Sequence, residues 1–123
     1  MRFLLDTQAA VWWLNGSPRM PASTRATLDD PANGRWLSAA SVWELSIKRA
    51  LGKYSGVDLL TALDLADLVE MPITGRHGDR AGSLAPHHRD PFDRLIVAQA
   101  LLEDLVLVTS DELLARYPCA ILW

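Results

Sequence analysis

The sequence predicts an α/β domain in which helices cover both faces of a mostly parallel sheet. Three observations predict it. Short apolar runs alternate with helical patterns along the chain, the order that parallel strands and crossover helices produce. Two of those runs, residues 2–5 and 105–109, lead straight into Asp6 and Ser110-Asp111, as buried strands feeding a polar rim do. The chain has 123 residues, half of them hydrophobic and 22% charged, which is enough for one domain over 1–123 with a real core.

The elements follow in order. Residues 2–5 (Arg-Phe-Leu-Leu) are a short apolar run and read as a buried strand. Residues 7–14 read as a helix that Asn15-Gly16-Ser17-Pro18 stops, and 21–28 as a second, closed by Asp29-Asp30-Pro31. Trp36-Leu37-Ser38 is a strand. Residues 40–51 form an amphipathic helix with Trp43, Ile47, Ala50 and Leu51 on one inward stripe and Gly52 as its stop. Residues 58–68 repeat the helical pattern, with Leu59, Leu60, Leu63 and Ala66 or Leu68 inward. Residues 69–71 are an edge strand, because Pro72 follows. Residues 75–84 are a weak helix: Gly75, Gly78 and Gly82 each cost it about 1 kcal/mol relative to alanine, so tertiary contacts must hold it. Residues 86–89 are loop. Residues 91–103 are apolar nearly all round and belong at the centre. Residues 105–109 are a buried strand, 111–116 a short helix and 120–122 a terminal strand.

Composition narrows the function. No apolar run is long enough to cross a bilayer, and Asp6 interrupts the opening run too early for a signal peptide. One cysteine, Cys119, excludes an internal disulfide framework, and a cytoplasmic location follows as the default. A net charge of −3 and a pI near 5.5 argue against a broad nucleic-acid footprint and favour a basic protein partner. They leave room for an acidic metal site with a few local arginines.

Four acids stand where a strand or loop hands over to a helix: Asp6 after Leu4-Leu5, Glu44 in Ser41-Val42-Trp43-Glu44, Asp93 in Asp90-Pro91-Phe92-Asp93, and Asp111 after Thr109-Ser110. Each has a local explanation. Asp6 and Asp90 can cap helices, Asp90 with Pro91 at the first helical position. Glu44 can pair with Lys48 one turn on. Asp93 can meet the helix dipole, and Thr109 with Glu112 has capping-box spacing. Together they suggest more, since ligands of an open parallel sheet collect beyond the strands' carboxyl ends, where Asp6 and Asp111 lie. Clustered carboxylates need a compensating hard cation, Mg2+ or Mn2+, and such a site suits attack on a phosphodiester. In such a site Asp6, Asp93 and Asp111 would bind one or two ions, and Glu44 would complete the cluster or orient the attacking water. Arg89 and Arg94 flank it as candidate phosphate contacts or salt-bridge partners.

Other chemistry is weaker. His87-His88 and a remote Cys119 do not make a zinc set. The glycines have neither dinucleotide nor Walker spacing, and no Gly-x-Ser-x-Gly elbow is present. Trp12, Trp13, Trp36, Trp43 and Trp123 read mainly as core, with room for one in an exposed groove.

The order of these segments resembles a PIN domain, and within that family a VapC-type toxin of a type II toxin–antitoxin system. The segment from His87 to Ala100, containing His88-Arg89-Asp90-Pro91-Phe92-Asp93-Arg94, carries most of the resemblance. Leu4-Leu5-Asp6-Thr7, Ser41-Val42-Trp43-Glu44-Leu45 and Val108-Thr109-Ser110-Asp111 carry the rest. The resemblance implies a three-layer α/β/α sandwich with a central, mostly parallel sheet. It implies a metal-dependent endoribonuclease, a homodimer, with an RNA substrate and a small cognate antitoxin. Asp6, Glu44, Asp93 and Asp111 correspond to its acidic quartet. Asp90 is an additional acid, and Thr7, Ser41 and Ser110 are similar to polar neighbours that support the site. The alternatives are a non-catalytic protein- or RNA-binding module of the same fold, and a PIN-like nuclease acting on DNA.

Overall fold

The computed structural model describes residues 1–123. The chain runs β1 (Arg2–Leu5), α1 (Thr7–Leu14), α2 (Ala22–Asp29), β2 (Gly34–Ser38), α3 (Ala39–Ala50), α4 (Leu59–Leu65), β3 (Val69–Met71), α5 (Gly75–Ser83), α6 (Pro91–Leu102), β4 (Val106–Val108) and β5 (Ile121–Leu122). The five strands lie in the order β3-β2-β1-β4-β5, and every neighbouring pair is parallel.

The period of two along β1 assigns the layers. Phe3 and Leu5 face one core, shared with Leu37, Val108, Ala9, Leu28, Leu45 and Leu59. Leu4 faces the other, shared with Leu107, Ile96, Val97 and Tyr117. One core packs under α1 to α4 and the other under α5 and α6, which is the three-layer α/β/α sandwich the sequence predicts. The run Ile96 to Ala100 is buried throughout, so α6 is indeed central. β3 lies at an edge, as the proline after it requires.

β1 sits between β2 and β4, and the chain reverses its direction of travel across the sheet there. The crevice of an open parallel sheet opens at such a point. α1, α3 and α6 bring their N-terminal halves to this rim.

Four expectations change. The stripe Trp43, Ile47 and Leu51 does not point inward: these residues are 59%, 38% and 64% exposed. α3 instead buries Ala40, Ser41 and Leu45, because small side chains allow it to approach α1 and α6 closely. Leu60 of α4 is also exposed. Thr109 and Glu112 form no capping box, since the Thr109 hydroxyl is engaged by Asp6 and the Asp111 amide, and the expected helix 111–116 reduces to a 3-10 turn, Leu114–Arg116.

The glycine-rich α5 forms and is clamped at both ends. Thr74 and His77 make a reciprocal capping box at its start. At its end the Arg94 guanidinium donates to the carbonyls of Ala81 and Leu84 at 2.7 and 3.0 Å. No helix of the chain is long and apolar enough to cross a membrane.

Candidate active site

At the crevice between β1 and β4 lies a cavity of about 420 Å³ whose nine lining residues include no hydrophobic one. Asp6, Glu44, Asp93 and Asp111 all line it, as do Asp90, Thr7 and Ser110. A lining of this kind suits a charged, hydrated ligand rather than an apolar one.

Each acid is delivered by its own element. Asp6 directly follows β1 and caps α1, accepting the Ala9 amide at 2.7 Å through Oδ1. Its other oxygen, Oδ2, accepts the Thr109 hydroxyl. Capping and site duty coincide, because a helix N-terminus orients the carboxylate it binds. Glu44 extends from α3. Its Oε1 lies 2.6 Å from the Thr7 hydroxyl, which is also 2.9 Å from the Ser41 hydroxyl. One hydroxyl holds one proton, so Thr7 donates to the carboxylate and accepts from buried Ser41. The other Glu44 oxygen pairs with Lys48 at 3.3 Å, so the local ion pair exists and lines the cavity at the same time.

Asp90 caps α6 by accepting the Phe92 amide at 2.9 Å, and Asp93 stands in that helix's first turn. Asp111 sits in the loop after β4, where Oδ1 accepts the Leu113 amide at 2.9 Å.

The crowding has an electrostatic consequence. Burial, reinforced by Asp111 and Glu44 and opposed by the hydrogen bonds from Thr109 and Ala9, pushes the Asp6 carboxyl up to about 6. Burial also pushes Asp93 up to about 7, with Asp90, Glu44 and Asp6 adding to the rise and His88 opposing it. Lys48 is the single basic residue among five lining acids. Hard oxygen donors in excess of local positive charge match a divalent cation of the Mg2+ or Mn2+ type.

The two arginines of the motif are placed elsewhere. Arg94 points back into the protein, where its guanidinium donates to the carbonyls of Ala81, Leu84, Ala85 and His88. Arg89 is exposed and lines a separate shallow hollow with Gly78 and Gly82. Neither lines the acidic cavity. The cation there is Lys48.

His88 is the residue that sequence reasoning passed over. Its Nε2 lies 3.0 Å from Asp111 Oδ2 and 3.3 Å from Asp93 Oδ2, so the imidazole bridges two of the acids. Thr109 is a second such residue. Its position directly after a buried strand and two residues before Asp111 was the available signal.

Trp43, next to Glu44, projects to solvent and meets the Phe92 ring edge-on at 5.0 Å. Trp12 packs on Trp123 at 5.6 Å, and Arg35 lies over the Trp13 ring, so these tryptophans serve the fold.

Comparison with known proteins places the fold. The chain is similar in structure to VapBC2 from Rickettsia felis, solved with a DNA fragment from its promoter, with a TM-score of 0.74 and 23% identity over 100% of this chain and 99% of that one. A toxin–antitoxin complex from Klebsiella pneumoniae aligns with a TM-score of 0.65 and 17% identity over 98% of this chain and 95% of that one. FitAcB from Neisseria gonorrhoeae aligns equally well, at 0.65 and 16% identity over 98% and 96%. No curated protein matches the sequence. At such identities these likenesses speak for the fold. The model of the PIN domain matches residues 3–118, a span that takes in every acid of the cavity, and the chain belongs to the PIN domain family.

Proposed function

We propose that this PIN domain, acting as one unit over residues 1–123, is a metal-dependent endoribonuclease of the VapC toxin type that hydrolyses RNA phosphodiester bonds. The observation that carries the reading is the convergence of Asp6, Glu44, Asp93 and Asp111 on one wholly polar cavity at the switch point of the sheet. Asp6, Asp93 and Asp111 would hold Mg2+ or Mn2+. When bound, such an ion offsets the charge that builds on a phosphodiester under attack and makes water a stronger acid.

The chain's own residues do the rest. Thr7 and Lys48 fix the Glu44 carboxylate from two sides, leaving it able to accept a hydrogen bond from the attacking water and to orient it. Ser41, buried behind Thr7, keeps that hydroxyl turned toward Glu44. Thr109 and the Ala9 amide hold Asp6 against the repulsion of its neighbours. Ser110 offers a hydroxyl at the cavity wall, and Asp90 orders the start of α6 and so the position of Asp93.

The same reading includes a small antitoxin as inhibitor, a homodimer as the working form and the cytoplasm as the place where the RNA is met. The exposed stripe Trp43, Ile47 and Leu51 supports the antitoxin, because a large apolar strip beside a polar cavity suits an amphipathic protein segment. Trp43→Ala should weaken capture of a small protein encoded beside this one, and undiminished capture would count against that surface.

The decisive experiment incubates the purified chain with structured RNAs in Mg2+, in Mn2+ and in EDTA, alongside folded Asp6→Asn and Asp93→Asn variants. Cleavage should require the ion and vanish in both variants. Equal cleavage by parent and variants defeats the proposal. Binding of RNA without cleavage would indicate a binding module, and cleavage confined to DNA would move the enzyme to the other sugar.

A further inference from the structure

One ligand atom from each of His88, Asp93 and Asp111 lies within 4.8 Å of the other two, close enough for the trio to be taken for a three-ligand metal group. The second ring nitrogen argues otherwise. His88 Nδ1 lies 3.0 Å from the Asp90 backbone amide, which is a donor and nothing else. Nδ1 therefore carries the lone pair, and the proton of the neutral ring sits on Nε2. Nε2 is then a donor aimed at two carboxylates. To ligate a metal it would have to give up that proton to Nδ1, where an N–H already points.

We propose that His88 is a positioning residue that clasps Asp93 and Asp111 through Nε2–H, and is not itself a metal ligand. The proposal rests on the metal-site reading above and adds to it the device that sets two of its ligands.

The need for a clasp follows from where those acids stand. Asp93 belongs to α6, but Asp111 hangs in a loop after β4 with only the Leu113 amide to hold its outer oxygen. The imidazole is well anchored for the task. Its own amide donates to the Tyr117 hydroxyl at 3.1 Å, and its carbonyl accepts from Arg94 at 3.1 Å. The side chain is 14% exposed. Each carboxylate oxygen has two lone pairs, so a hydrogen bond from His88 leaves room on both acids for a cation. A partner of this kind orients ligands without joining them, and its loss typically weakens metal affinity by about 10- to 100-fold.

The test uses calorimetric titration of Mg2+ and Mn2+ into the wild-type chain, His88→Ala and His88→Gln, with electron spin echo modulation of bound Mn2+ to detect coordinated nitrogen. The wild type should bind Mn2+ with no directly coordinated nitrogen. His88→Ala should lose about tenfold or more in affinity, by the same factor for both ions. His88→Gln, whose amide N–H reaches from the same side, should recover most of that loss. A coordinated nitrogen signal that disappears in His88→Gln, a loss confined to Mn2+, or unaltered affinity in a folded His88→Ala would each overturn the proposal. Absence of binding of either ion to the wild type overturns the metal reading beneath it, and this inference with it.

Discussion

The Thr109 hydroxyl donates to Asp6 Oδ2 and so joins the ends of β4 and β1 across 103 residues of sequence. The same oxygen of Thr109 accepts the Asp111 amide at 3.0 Å. One side chain thus sets the spacing of two acids that follow different strands. Its own burial is nearly complete, at 2% exposure, so water cannot take its place.

Thr109→Val keeps the shape and removes the donor. A buried hydrogen bond to an ionised group contributes about 1.5–3 kcal/mol. Urea unfolding at neutral pH should show a loss of that size, and the Asp6 carboxyl should titrate still higher than about 6 in the variant. A variant as stable as its parent would mean that the contact carries little energy.

Arg94 has a structural task. It donates to four backbone carbonyls, three of them at or just beyond the end of α5. Arg94→Ala should destabilise the chain by at least about 3 kcal/mol, because several carbonyls lose a charged donor together. Arg94→Lys should recover little, since a point charge cannot span the planar fork of a guanidinium. Exposed Arg89→Ala should stay within about 0.5 kcal/mol of the parent. Chemical denaturation of the three variants tests the order, and equal effects at positions 89 and 94 would refute it.

The start of the chain was legible to the residue. A buried run, a capping acid and a helix follow one another at Leu5, Asp6 and Thr7, and each signal is local. The four acids were legible for the same reason, since helix starts and strand ends are written in neighbouring residues. The face of α3 was not. Hydrophobic period identifies a stripe but not what covers it, and Trp43, Ile47 and Leu51 are left outside while the polar side bearing Ser41 and Glu44 turns inward to Thr7. His88 and Arg94 were illegible in a different way. Their roles depend on a loop that folds back so that one meets Asp111 and the other meets Ala81, and no spacing rule encodes that return.

Gly78 lies mid-helix in α5 with an ordinary backbone, is exposed, and would meet nothing within 4 Å of an added Cβ. Gly78→Ala should therefore stabilise the chain by about 0.5–1 kcal/mol, through helix propensity and a less disordered unfolded state. Gly52 has equally empty surroundings but a φ of 72°, so Gly52→Ala should destabilise instead. Thermal midpoints moving in opposite directions are the expected outcome, and a fall at both positions would show that α5 needs its glycine for another reason.

The acids also predict how metal-free stability responds to pH. Asp6 and Asp93 shift from an ordinary carboxyl value of 3.8 up to about 6 and about 7 in the folded chain. Between those limits the folded state holds protons that the unfolded state has released, so stability falls as pH rises. The advantage is complete below 3.8 and gone once pH passes through the folded values near 6 and 7. Midpoints measured in EDTA from pH 4.5 to pH 8, a range of about this window, should decline for the wild type and decline less for Asp93→Asn, which has no proton to lose at that position. Identical slopes would mean that the carboxyl of Asp93 ionises normally. A divalent cation favours the ionised acids and must displace whatever protons they retain, so its affinity should climb with pH and level off above about 7, the value at which Asp93 gives up its proton.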